Sequence, residues 1–300
     1  MVWLTPGSGE HPATRLRTML DEPGTVAVPG VFNGLTALLA REAGAETAYL
    51  SGAALSASMG LPDVGLVTLE DLTRTARQIV RVTDLPVIVD ADTGFGSALM
   101  VMRTVRELEE AGAAAVQIED QVDPKRCGHL EGKQVTSEAR MCEKVAAARE
   151  ARADLVVVAR TDARATSGFD EAVARGLAYR EAGADVIFPE ALETTEEFRD
   201  YAAAVRAPLL ANMTEFGRSP SLSVRELGEL GYRLVIFPVS AARVAAFHVG
   251  AFYRDLLHEG SARSWLHRMQ TRAELYGLID YDAYSGLDAA AAARDDGEPR

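Results

Sequence analysis

Glu110-Ala-Gly-Ala-Ala-Ala-Val-Gln-Ile-Glu-Asp120 compresses the end of a helix, a turn and a strand into eleven residues. Gly112 sits where a helix must stop, in the left-handed region that a residue without a Cβ enters freely. A short, unbroken apolar run follows it. The same punctuation recurs at Arg41-Glu-Ala-Gly-Ala45, Glu181-Ala-Gly-Ala184 and Glu229-Leu-Gly-Tyr232, each a few residues before another such run. Working outward, eight runs appear, at 25–29, 47–51, 86–90, 115–119, 155–159, 185–189, 208–212 and 234–238. Near-continuous Val, Ile and Leu are what strands buried on both faces require. With helical periodicity between them, they form the βα alternation of a parallel sheet. Eight strands with helical crossovers close most economically as a (β/α)8 TIM barrel, whose functional residues lie at the carboxyl ends of the strands. An open doubly wound sheet is the other arrangement the alternation allows. The absence of a G-x-G-x-x-G turn after the first strand weighs against its dinucleotide-binding form.

Three hundred residues, 48% hydrophobic and 25% charged, describe a globular chain of one or two domains. We read a single domain over 1–300: a barrel over 25–240, a helical extension over 241–287, and a frayed tail over 288–300. The extension is apolar on most of the circumference of its first helix. That helix either meets another subunit or packs beneath its own barrel. A net charge of -13 offers no footprint for nucleic acid or an anionic membrane. Two cysteines, Cys127 and Cys142, are too few for a disulfide framework, so a reducing, cytoplasmic setting is expected. Neither a signal peptide nor a membrane span is expected. The basic residues are 28 Arg and only three Lys, namely Lys125, Lys133 and Lys144.

Polar side chains crowd the predicted strand ends: Ser51 after the second, Asp90 and Asp92 after the third, Glu119 and Asp120 after the fourth. Arg160 and Asp162 follow the fifth, Glu190 the sixth, Asn212 and Thr214 the seventh, and Arg243 lies beyond the eighth. In a barrel these positions converge on one mouth. Carboxylates gathered so closely raise one another's pKa unless a cation compensates. Asp90-Ala-Asp92 has the spacing that sets two carboxylates on one side of a strand, and Glu119 would add a third oxygen donor. An all-oxygen set favours Mg2+ or Mn2+ over Zn2+. The same pair also suits plain helix capping; Glu119 and Asp120 at the neighbouring strand end favour the metal. The Thr93-Gly-Phe-Gly96 turn beside them serves either close backbone approach to a ligand or a plain tight turn.

Asp123-Pro-Lys-Arg-Cys-Gly-His-Leu-Glu-Gly-Lys133 reads as a mobile lid on the active face. Within it Cys127 is flanked by Lys125 and Arg126 and lies two residues from His129, neighbours that favour thiolate and proton exchange near neutral pH. An incidental loop cysteine is the plainer alternative. Cys142, on a helical repeat, reads as core.

Lys125-Arg-Cys-Gly-His129, with Tyr49-Leu-Ser-Gly-Ala53, Gly60-Leu-Pro-Asp63, Val89-Asp-Ala-Asp-Thr-Gly-Phe-Gly96, Gln117-Ile-Glu-Asp120, Ala159-Arg-Thr-Asp162, Phe188-Pro-Glu190, Asn212-Met-Thr-Glu-Phe-Gly217 and Met269-Gln-Thr-Arg272, resembles the isocitrate lyase and phosphoenolpyruvate mutase superfamily. The resemblance runs from about 28 to about 287. It implies a Mg2+-dependent (β/α)8 barrel that forms a homotetramer and exchanges its C-terminal helices between subunits. The activity implied is cleavage of 2-methylisocitrate to pyruvate and succinate, the carbon–carbon lyase step of the methylcitrate cycle in propionate catabolism. Siblings act on dimethylmalate or carboxyphosphonoenolpyruvate. It further implies Asp90, Asp92 and Glu119 at the metal, Cys127 as proton donor with His129 beside it, Arg160 as charge stabiliser, and Tyr49 as base. Ser51, Gly52, Ala53, Asp90, Gly128, His129, Arg160, Glu190, Asn212, Thr214, Arg243 and Arg272 would bind substrate. Ala53 stands where some relatives carry a third Gly, one methyl closer to the ligand.

Overall fold

The structure is a computed structural model; it describes residues 3–4, 9–126, 128 and 132–295. The chain divides into two compact units, Glu10–Ala242 and a second made of Met1–Gly9 and Arg243–Arg300.

In the first unit the eight strands stand where the apolar runs place them: β1 Val26–Val31, β2 Ala48–Leu50, β3 Val87–Asp90, β4 Ala115–Glu119, β5 Val156–Thr161, β6 Val186–Pro189, β7 Leu210–Asn212 and β8 Leu234–Phe237. All pair in parallel, in the order β6-β5-β4-β3-β2-β1-β8-β7. The two ends of that order meet through a parallel bridge between Ile187 and Leu209, so the sheet is a nearly closed barrel. Gly44, Gly112, Gly183 and Gly231, the four predicted stops, all adopt positive φ.

Strand periodicity then builds the site. Residues two apart share a face, and one buried cluster holds Val28, Tyr49, Ile88, Ala115, Val156, Val158, Val186, Phe188, Leu210, Leu234 and Ile236, the side chains that fill the barrel. Continuing each series by two residues toward the carboxyl end gives Ser51, Asp90, Gln117 and Glu119, Arg160, Glu190 and Asn212. The register sets Asp90 beside Gln117, Glu119 beside Arg160, and Arg160 beside Phe188. The lower layers are apolar and the top layer is charged.

A helix over Pro12–Asp21, absent from our reading of the sequence, closes the other end. Leu16 and Leu20 join the barrel-filling cluster from below, four residues apart on one helix face. Pro12 opens the helix, a position where the missing N–H costs nothing.

The second unit holds most of a helix over Ser240–Glu259, then helices over Arg272–Leu278 and Tyr281–Asp295. The last carries an Ala-rich sequence, a strong helix former, as far as Asp295; of the tail expected over 288–300, residues 296–300 lie outside the described residues. Ser240–Glu259 buries none of its residues, and Phe247 and Leu257 are 70% and 84% exposed. Trp265 packs edge-on against Phe252 and donates to Asp255 at 2.8 Å.

Candidate active site

Arg160, near the end of β5, is the centre of the mouth. Its guanidinium donates to Asp162 through Nε at 2.9 Å and Nη2 at 3.1 Å. Nη1 lies 3.3 Å from Glu119 and 3.2 Å from Glu190, and the group rests 5.2 Å from the centre of the Phe188 ring. Burial alone would weaken so buried a charge; Asp162, Glu119 and Glu190 outweigh it and hold the guanidinium's pKa well above its ordinary value. Asn212, from β7, donates to both oxygens of Glu190 at 3.2 and 3.3 Å.

Asp90 is aimed by three donors: Gln117 Nε2 at 3.1 Å, and the backbone N–H groups of Gly52 at 3.2 Å and Asp92 at 3.3 Å. Tyr49 donates its phenol proton to the other end of Gln117. Asp92 adopts a φ of 49°, a left-handed conformation that turns its carboxylate back toward Asp90. A Cβ on Gly52 would stand 3.2 Å from Asp90 Oδ2 and 3.3 Å from Asp92 Oδ1, so the two carboxylates share one small space. Lys125 ties Asp92, at 2.8 Å, to Asp63. Burial and the nearby Asp90 push Asp92 up to about 7 despite Lys125. Burial likewise holds Glu119 well above its ordinary value, and its Oε1 is buried with no hydrogen-bond partner among the described residues.

This donor set fits a divalent cation. Among the described residues Asp63, Asp92, Glu119, Asp162 and Glu190 pair with Lys125, Lys133 and Arg160, while Asp90 accepts from neutral donors. No three His, Cys, Asp or Glu side chains among the described residues are gathered closely enough to hold a metal ion together. Mg2+ does not need three, since it binds through one or two carboxylates and keeps several waters.

Asp120 follows the opposite strand parity and faces the helices. It accepts from Thr161 and Tyr179 at 2.8 Å, the N–H of Asp162 at 2.9 Å, and Arg175 at 3.0 Å. Its role is to hold the β4–β5 end together.

One cleft is lined by Tyr49, Ser51, Ala53, Asp90, Glu119, Gly128, Arg160, Glu190, Asn212 and Thr214. The expected convergence of these residues is therefore present. Gly52 and Asp92 flank the cleft through their contacts with Asp90. Cys127 and His129 lie outside the described residues. Arg243 and Arg272 belong to the second unit, in Ser240–Glu259 and at the start of Arg272–Leu278.

A barrel with this acidic, arginine-centred mouth defines a class, and comparison agrees with it. The family described as phosphoenolpyruvate phosphomutase matches residues 16–257. The chain belongs to the phosphoenolpyruvate mutase and isocitrate lyase superfamily. Within it, a 2-methylisocitrate lyase of Aeropyrum pernix is 51% identical over 280 residues, covering 93% of this chain and 91% of that one. The crystal structure of 2,3-dimethylmalate lyase superposes with a TM-score of 0.90 at 38% identity, covering 97% and 99% of the two chains. Phosphonopyruvate hydrolase, solved with oxalate and Mg2+, superposes with a TM-score of 0.85 at 31% identity, covering 93% and 99%. Magnesium is thus bound within the superfamily.

The sequence placed Gln117 and Lys133 in motifs without a role for either; the structure gives Gln117 to Asp90 and Lys133 to Asp162. Gln117 was open to discovery by parity, since it lies two residues before Glu119 on the inward face.

Proposed function

We propose that this chain cleaves 2-methylisocitrate to pyruvate and succinate, as a Mg2+-dependent lyase of the methylcitrate cycle working in the cytoplasm. The observation that carries this reading is the 51% identity to a 2-methylisocitrate lyase along nearly the whole chain, with the strand-end residues gathered in one cleft. No helix among the described residues is long and apolar enough to cross a membrane.

Breaking the bond requires loss of the hydroxyl proton, stabilisation of the new ketone and its carboxylate, and a proton for the carbanion left on succinate. Asp90 and Asp92 would hold Mg2+, with Glu119 directly or through water, and the bound ion would polarise the oxygen that becomes the ketone. Arg160 offsets charge that develops in the cleft. Ser51, Gly52, Ala53, Gly128, His129, Glu190, Asn212, Thr214, Arg243 and Arg272 orient the substrate's carboxylates and hydroxyl. Cys127 donates the proton to the carbanion. Tyr49 donates to Gln117 and, through it, orients Asp90. Burial, with Asp90 near, holds its phenol well above the ordinary value; a cation seated on Asp90 would oppose that shift, and Tyr49 is the group we propose to take the hydroxyl proton.

The exposed apolar face of Ser240–Glu259 supports assembly through this helix, and we propose a homotetramer that exchanges its C-terminal helices. The dimethylmalate lyase likeness favours one competing substrate.

The test is a substrate panel read by pyruvate release, coupled to lactate dehydrogenase. 2-Methylisocitrate should turn over fastest, EDTA should abolish release, and Cys127→Ser should lower kcat by roughly 10²- to 10⁴-fold with the fold intact. Faster turnover of dimethylmalate would move the assignment to that sibling.

A further inference from the structure

Lys125, Lys133 and Lys144 stand among 28 arginines, and all three are buried, at 5%, 9% and 7% exposure. Lysine and arginine replace one another on a solvated surface, but not where charge must sit at a point. The ammonium is compact, with three donors on one atom, whereas guanidinium is a planar fork. In a chain whose surface cations are arginines, buried lysines mark positions that need the compact charge. Lys125 joins Asp63 to Asp92, and Lys144 holds the Thr93 carbonyl at 2.7 Å beside the acidic pair. Lys133 has no place in the reaction as derived above.

The Lys133 side chain is 1% exposed, and its Nζ donates to Asp162 Oδ1 at 2.7 Å and to the carbonyl of Gly128. Asp162 is the carboxylate that grips Arg160 with two hydrogen bonds. Gly128 in turn lies against the same guanidinium: a Cβ there would stand 2.4 Å from Arg160 Nη2 and 2.6 Å from Glu190 Cγ. One ammonium therefore bridges the backbone that covers Arg160 and the carboxylate that aims it. An uncompensated charge this buried would be strongly unfavourable, so Asp162 and Lys133 stay together, and the backbone at Gly128 is held with them.

We propose that Lys133 is a positioning residue that sets the Gly128 backbone against Arg160 and Glu190 without touching substrate. Only the kinetic arm of its test rests on the lyase reading. Lys133→Met and Lys133→Arg are prepared in the full chain. Tryptic nicking after Arg126, mapped by mass spectrometry, reports the tie with no substrate present. Pyruvate release reports its consequence. Both variants should be nicked at Arg126 about tenfold faster than the parent, because the segment opens locally without global unfolding. Both should lose roughly 10- to 100-fold in kcat, as removal of a supporting partner does, with KM within about threefold. The arginine variant keeps the charge but not its compact shape, so it is not rescued.

Parent-like nicking and parent-like kcat in either variant overturn the proposal. So does nicking that accelerates equally at Arg140 and Arg149 in the helix over Glu138–Ala151, or failure of both variants to fold, since Lys133 would then serve the fold at large. A parent protein that releases no pyruvate, while Lys133→Met is still nicked faster at Arg126, defeats the lyase reading and leaves the tie standing.

Discussion

The two ends of the barrel carry the same kinds of side chain and treat them oppositely. At the floor, Asp185 accepts from Arg17 at 3.1 Å, from Arg152, and from the N–H of Val157 at 2.8 Å. Glu109 accepts the N–H groups of Ala153, Asp154 and Leu155 at 2.9 to 3.1 Å. Burial works against both charges, yet these donors outweigh it and hold both carboxyls below their ordinary values. At the mouth burial wins, and Asp92 and Glu119 are pushed up. Floor carboxylates are matched to donors and stabilise the fold. Mouth carboxylates are crowded beyond their donors, a state that costs stability and leaves them ready for a ligand.

Removing a charge should therefore have opposite consequences at the two ends. The largest effect is expected for Glu119→Gln, which should lower kcat by roughly 10²- to 10³-fold. Arg160 keeps Asp162 and Glu190 as partners in that variant, so its melting temperature should be unchanged or higher. Asp185→Asn should do the reverse, costing about 2 kcal/mol through hydrogen bonds to a charged acceptor while leaving kcat of the folded protein unchanged. A Glu119→Gln variant destabilised as much as Asp185→Asn would break the contrast. The pH dependence sharpens it. Because Asp185 and Glu109 have depressed pKa values in the folded chain, their stabilisation is present above the ordinary carboxylate range and is lost as pH falls through the folded values. Melting temperature should drop below about pH 4, and Asp185→Asn should flatten part of that drop.

The same contrast explains what the sequence disclosed. Strands such as Leu155-Val-Val-Val-Ala159 were legible because burial on both faces leaves little but β-branched and aliphatic residues. The site was legible wherever one strand end carried it: once β5 is placed, Arg160 must point inward two residues beyond Val158. Asp120 was misleading for the same reason, since adjacency to Glu119 hides that it faces the other way, toward Arg175 and Tyr179. Partnerships across long sequence separations were not legible. Nothing in the local pattern says that Arg17 will reach Asp185, or that the Tyr49 hydroxyl will donate a hydrogen bond to Gln117. The floor helix over Pro12–Asp21 was hidden likewise, because two leucines four residues apart gain meaning only against the barrel they plug.

The smallest effect belongs to a glycine that serves the floor's turns. Gly44 adopts a φ of 90° with nothing within 4 Å of where a Cβ would stand, so Gly44→Ala meets backbone strain and no clash. That strain is worth about 1 kcal/mol, which in a chain of this size lowers the melting temperature by roughly 2 to 4 °C. Gly183, at the equivalent junction before β6, has a φ of 111° and would bring its Cβ to 2.3 Å from Arg149 Cδ. Gly183→Ala should therefore cost more than Gly44→Ala by whatever Arg149 gives up in moving aside. Neither should change kcat, because both lie at the end of the barrel where side chains hold the strands in register. A loss of turnover in Gly44→Ala without a matching loss of stability would mean that the floor is coupled to the mouth through the strands themselves.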